Sequence, residues 1–146
     1  MRIGIDFDNT IAIYDNIFLN FLKKFNIESE LFSNPKDQLK KHLFKDPNGI
    51  KKWNKIQGQV YGKDVRKAKI ALGFFNFIKL ANHFKYEIFI ISHKTKFGHF
   101  DKSKVNLRDM AILWMDRNSF FDLDALSIKK NNIFFCSSRK EKILKM

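Results

Sequence analysis

Three short runs constrain what this chain can fold into: "RIGIDF" (residues 2–7), "YEIFIIS" (86–92) and "NNIFFCS" (131–137). Each is rich in β-branched or aromatic residues, and none alternates apolar with polar. A strand that reads this way is buried on both faces, as in a parallel sheet. Between the runs the apolar residues recur at helical spacing, first as Ile17, Phe18, Phe21, Leu22 and Phe25, then as Phe74, Phe75, Ile78 and Leu80 with Ala81. A further helix is predicted over 104–117, with Val105, Met110, Leu113 and Trp114 available to pack and "DRNSFF" ending it. The order strand, helices, strand, helix, strand implies an α/β fold.

With 146 residues there is chain for one sizeable core but not for two independent ones. Seventeen phenylalanines and a hydrophobic fraction of 45% argue for a globular protein, because that much apolar surface offsets the entropy of ordering the backbone. The first interval between strands exceeds a minimal crossover. In it, Pro35 fits the first turn of a helix after Ser33 or Asn34, and Asp46, Pro47, Asn48 and Gly49 read as a turn. Residues 14–66 are therefore expected to form a small helical insert, with 1–13 and 67–146 as the core. The segment "SSRKEKILKM" reads as the start of a helix.

Lys and Arg outnumber Asp and Glu by 28 to 15, a formal net charge of +13. Such a balance favours an anionic partner: a phosphate ester, a nucleic acid or an acidic membrane surface. The basic residues run from Lys23 to Lys145 without gathering in one tail, so a solvated lysine-rich surface is an equally open reading. Cys136 is the single cysteine, which rules out an internal disulfide framework and is expected to be a small core residue. No apolar run approaches a membrane span, no signal-peptide pattern opens the chain, and a cytoplasmic location is expected. His42, His83 and His99 show no ligand spacing with one another or with Cys136.

The first run ends in "DFDNT". In a parallel sheet, ligands collect beyond the carboxyl ends of the strands, so Asp6 and Asp8 stand at the expected mouth of a site. Residues two apart on an extended chain share a side, which lets both carboxylates face one small volume. Like charges held close are costly without a cation, and a divalent metal would relieve that cost.

"DFDNT" resembles the Asp-x-Asp-x-Thr motif of the haloacid dehalogenase superfamily, most of whose members are Mg²⁺-dependent phosphohydrolases. The resemblance extends to Ser92 in "IFIISHKT", at the end of the second core strand, and to Lys142 in "SSRKEKI", after the third. It implies a three-layer, Rossmann-like parallel sheet with a helical cap. It also implies Mg²⁺ as cofactor, with Asp6 and Asp8 as its ligands, the latter through its backbone carbonyl. Asp6 would attack phosphorus to form an aspartyl phosphate, and Asp8 would serve as acid and base. Ser92 and Lys142 would clamp the phosphoryl oxygens, and Thr10 would fix the turn around Asp6. Asn9, Ser92, His93 and Lys94, at the mouth of the strands, are the expected contacts to a small phosphorylated substrate.

Plainer readings stand beside these. Asp8 and Asn9 can make an Asx turn, Ser92 can cap a helix, Lys94 can be an exposed loop lysine, and Lys140 rivals Lys142. The superfamily's fourth motif, an acidic pair after a further strand, has no counterpart: only Ile143, Leu144, Lys145 and Met146 follow Lys142, and Asp122 and Asp124 come before the third strand. A truncated copy is the expected explanation, with an acid supplied by a partner or a scaffold without catalysis as the others. An uncovered edge of the first strand would then invite self-association. The alternative function is a basic module binding nucleic acid or protein, for which the chain offers charge but no recognisable motif.

Overall fold

The structure is a computed structural model that describes residues 1–30, 33–99 and 104–145. Its larger sheet is built on the central strand, β4 (Glu87–His93), which pairs in parallel with β1 (Arg2–Ile5) on one side and with β5 (Ile133–Cys136) on the other. Ile90 is the common register point, opposite Ile5 in β1 and Ile133 in β5. All three carboxyl ends therefore open at one edge of the sheet. A second, antiparallel ribbon joins β2 (Ala12–Ile13) to β3 (Lys69–Ile70).

Six helices complete this mixed α/β chain among the described residues. Between the two strands of the ribbon lie α1 (Asp15–Lys24), α2 (Pro35–Leu43) and α3 (Gly49–Tyr61), followed by a 3₁₀ turn at Lys63–Lys67. α1 packs on α2 and α2 on α3. The remaining helices are α4 (Phe74–His83), α5 (Leu107–Arg117) and α6 (Arg139–Lys145). α4 packs against β4, α6 against β4 and β5, and α5 against α3 and the 3₁₀ turn. No helix among the described residues is long and apolar enough to cross a membrane.

Local sequence explains these elements. Pro35 opens α2 at its first position, after an Asn34 side chain that accepts from the backbone N–H groups of Lys36 and Asp37. The expected turn at Asp46–Gly49 closes with the Asp46 carboxylate accepting from Asn48 N–H at 2.7 Å. Gly49 then starts α3 where a Cβ would lie 1.9 Å from the Leu43 carbonyl oxygen, an approach only glycine permits. The core gathers Ile17, Phe18, Phe21 and Leu22 of α1 with Phe7, Ile78, Ile90, Trp114 and Phe120, so the insert and the sheet share one apolar cluster. Cys136 is buried, as expected.

Four expectations need correction. Burial on both faces holds for most of β4 but not for β1 or β5, which alternate or sit half-buried because each is an edge strand of a three-stranded sheet. The first strand stops at Ile5, because Asp6 and Phe7 already turn the chain. The helix expected from 104 begins at Leu107, capped by Asn106, so Val105 precedes it, and Leu113 points outward. Phe25, Phe75 and Leu80 are also exposed, on the outer sides of helices whose inner stripes are filled by their neighbours. Residues 31 and 32 of the expected insert, and 100–103 and 146 of the expected core, lie outside the described residues.

Candidate active site

The site begins with a tight turn. Phe7 is fully buried, its ring edge-on to Trp114 at 5.5 Å, and its carbonyl accepts from Ile11 and Ala12 N–H at 2.9 and 3.0 Å. Asn9 takes φ = 59°, a left-handed conformation that asparagine tolerates, and its N–H donates to the Ala12 carbonyl at 2.8 Å. This knot leaves Asp6 and Asp8, half-buried, on either side of the anchored phenylalanine. Thr10 is exposed, and the turn closes through the backbone rather than through its hydroxyl.

Each carboxylate meets a lysine from a distant part of the chain. Lys142 Nζ lies 2.7 Å from Asp6 Oδ2, while Asp6 Oδ1 accepts from Phe7 N–H at 2.8 Å. Lys142 is delivered by α6, whose start is fixed by a capping arrangement: Ser138 Oγ accepts from Glu141 N–H at 3.1 Å, and the Glu141 carboxylate accepts from Ser137 N–H at 2.7 Å. The exposed Lys140 takes no part in this pair.

Lys94 is not the exposed loop lysine of the plainer reading. It is 3% exposed, and its ammonium lies 2.8 Å and 3.0 Å from the two oxygens of Asp8. The faces of Phe7 and Tyr61 stand 5.5 Å and 5.3 Å from the same ammonium. Tyr14 completes the cluster by donating its hydroxyl to Asp8 Oδ1 at 2.6 Å. Burial, with the Asp8 charge adding to it, pushes the Tyr14 phenol well above its usual value of 10.0.

Ser92 lies within β4, opposite Phe135, and is no helix cap. It is completely buried, and its hydroxyl has no hydrogen-bond partner among the described residues. His93 is exposed, with Nε2 3.3 Å from the Ser137 carbonyl oxygen. Arg108 ties the loops together: its Nε donates to the Lys94 carbonyl and its Nη2 to Ser137 Oγ, both at 2.9 Å. Asp122 and Asp124 stand elsewhere, exposed in the chain that enters β5. There Asn82, at the end of α4, donates to the Leu126 carbonyl, which sets this loop at the amino end of the sheet.

The Asp6 carboxylate, whose side chain is 40% exposed and whose oxygens pair with Lys142 and Phe7 N–H, is a donor that a divalent cation could reach. Among the described residues no three acidic, histidine or cysteine side chains gather. Mg²⁺ retains several waters and is commonly held by one or two carboxylates together with substrate phosphate oxygens, so this donor fits it when phosphate completes the shell. Beside Asp8 a cleft of about 380 Å³ opens, bounded by α3 on one side and by the chain after β4 on the other.

No family model, curated protein or solved structure matches the chain. Tyr14 and Arg108 are the site residues that the motif pattern misses. Each lies on a helix or its cap with no local mark of chemistry, and only the folded chain brings it to Asp8 or Lys94.

Proposed function

We propose that the chain is a Mg²⁺-dependent phosphomonoester hydrolase that works through an aspartyl phosphate on Asp6. The observation that carries this reading is the pairing of Asp6, just beyond the end of β1, with Lys142 of the helix that follows β5, its ammonium 2.7 Å from the Asp6 carboxylate, where β1 and β5 flank β4 with their carboxyl ends on one side. An ammonium in that position lowers the repulsion between an anionic nucleophile and an anionic phosphoryl group. Asp6 Oδ attacks phosphorus in line, a P–O bond forms, and the bond to the leaving oxygen breaks. Asp8 passes that oxygen a proton drawn from the Lys94 ammonium 2.8 Å away, then takes one from the water that hydrolyses the acyl phosphate and returns it to Lys94, a role worth about 10²- to 10⁴-fold in rate.

Lys94 and Tyr14 hold the Asp8 carboxylate in one orientation for both transfers. Asp6 and the Asp8 carbonyl would hold Mg²⁺, which when bound supplies positive charge to the phosphoryl oxygens. Ser92, next to last in β4, would turn to a phosphoryl oxygen a buried hydroxyl that has no other partner among the described residues. The reading carries a fold with it: a haloacid-dehalogenase-like, three-layer core of residues 1–13 and 67–146, capped by 14–66 over the strand ends. The packing of α4 and α6 on the sheet, and the cleft between α3 and the end of β4, support that arrangement.

The test is release of phosphate from a generic aryl phosphate with and without Mg²⁺, by the unmodified chain and by Asp6→Asn. Release that needs both the metal and Asp6 is the expected result. Equal release by Asp6→Asn would end the mechanism.

A further inference from the structure

The cleft is asymmetric with respect to the two carboxylates. Asp8, Asn9 and Lys94 line it, whereas Asp6, Ser92 and Lys142 do not. If Asp6 meets phosphorus and Asp8 meets the leaving oxygen, the cleft lies on the side where the leaving group must rest. This step depends on the phosphatase reading.

The opposite wall is one stripe of α3. Asn54, Gln57, Gly58 and Tyr61 follow the spacing i, i+3, i+4, i+7 and so share a face. Both amide side chains are half-buried, and neither is hydrogen-bonded among the described residues. Each offers a donor and an acceptor, the pairing that hydroxyl groups require. Lys36, from the first turn of α2, joins this wall with its ammonium 5.7 Å from the Tyr61 ring. The Lys94 ammonium, which Asp8 already neutralises, stands 5.3 Å from the same ring. Lys36 forms no ion pair among the described residues.

We propose that the cleft binds a small hydroxylated leaving group that carries a second anion, with Lys36 taking that anion and Asn54 and Gln57 taking the hydroxyls. The substrate class is thus a phosphorylated hydroxy acid or a polyol bearing two anionic groups, rather than a simple alkyl phosphate.

Two probes isolate the second anion: 3-phosphoglycerate and glycerol 3-phosphate, which differ by a carboxylate in place of a hydroxymethyl group. Binding is measured on Asp6→Asn, which cannot form the phosphoenzyme, by NMR titration read at the side-chain amide signals of Asn54 and Gln57. The expected result is tighter binding of 3-phosphoglycerate by about tenfold or more, with both amide signals shifting. Adding Lys36→Ala brings the ratio close to one, whereas adding Lys23→Ala, at an exposed lysine that does not line the cleft, leaves it intact. Equal affinities, a preference that survives Lys36→Ala, equal loss with Lys23→Ala, unmoved amide signals or no binding of either probe would each overturn the proposal. The phosphatase reading is judged separately, by Asp6-dependent turnover of the aryl phosphate.

Discussion

Lys94 and Asp8 form the most enclosed ion pair among the described residues: 2% of the lysine side chain and 20% of the aspartate side chain are exposed, and both carboxylate oxygens lie within 3.0 Å of the ammonium. The pair joins the turn after β1 to the exit of β4, and two aromatic faces shield it from water.

Removing one partner strands the other. Lys94→Met is expected to destabilise the fold by roughly 3 kcal/mol, the lower end of the range for breaking a buried pair, because Asp8 keeps some contact with solvent. The double variant Lys94→Met with Asp8→Asn should recover much of that loss. Urea unfolding of the four proteins in a double-mutant cycle measures the coupling, and independent, additive losses would show that the pair does not act as a unit.

Ser92 presents the opposite case. A buried hydroxyl without a partner costs about 1–3 kcal/mol, so Ser92→Ala should raise stability by about 1 kcal/mol while lowering turnover of an aryl phosphate. Thermal melts beside activity assays check both halves. A destabilised variant with full activity would assign Ser92 to packing alone.

Asp8 acts after Asp6 in the proposed sequence. Asp8→Asn should therefore let the phosphoenzyme form slowly and persist, visible by intact mass as one added phosphoryl group that Asp6→Asn never acquires. An Asp8→Asn protein that turns over at the unmodified rate would remove Asp8 from the chemistry.

Tyr14 makes a prediction at alkaline pH. Its phenol is held above the usual 10.0 in the folded chain by burial and by Asp8. The folded state therefore binds the phenolic proton more tightly than the unfolded one. The resulting stability is fully present below pH 10 and is lost as pH rises toward the folded-state value. Of the three tyrosines, one should resist ionisation in a phenolate absorbance titration until the protein unfolds, and that step should vanish in Tyr14→Phe. At neutral pH the same variant should lose about 1.5–3 kcal/mol, the worth of one hydrogen bond to a charged group. Three tyrosines titrating together in the folded protein would contradict the buried contact.

Asp6 and Asp8 are legible in the sequence because they stand just beyond the end of an apolar run, and strand ends are where a parallel sheet gathers ligands, whereas Ser92 and Lys142 are singled out by the resemblance of their segments to the superfamily's motifs, with Lys140 as the rival. Lys94 is legible as a neighbour of the site but not as a buried group. Its burial depends on Tyr61, a residue of α3 that no local pattern relates to the end of β4. Tyr14 and Arg108 are hidden for the same reason. The two-residue ribbon of Ala12–Ile13 with Lys69–Ile70 is too short to carry a periodic signal. The excess exposure of β1 and β5 follows from the number of strands in the sheet, a property of the assembled layer that no single strand records.

The strand pairing of the larger sheet also governs the order in which the molecule is made. Arg2 pairs with Glu87 and Ile90 with Ile133, so no strand of that sheet can close on a neighbour through a hairpin. Helices form from local contacts in about a microsecond or less, but these pairings must wait for long loops to close. In refolding experiments helical signal should precede the appearance of the Asp6–Lys142 and Asp8–Lys94 pairs. Any species arrested early would then be a chain with its helices in place and its carboxylates still in water.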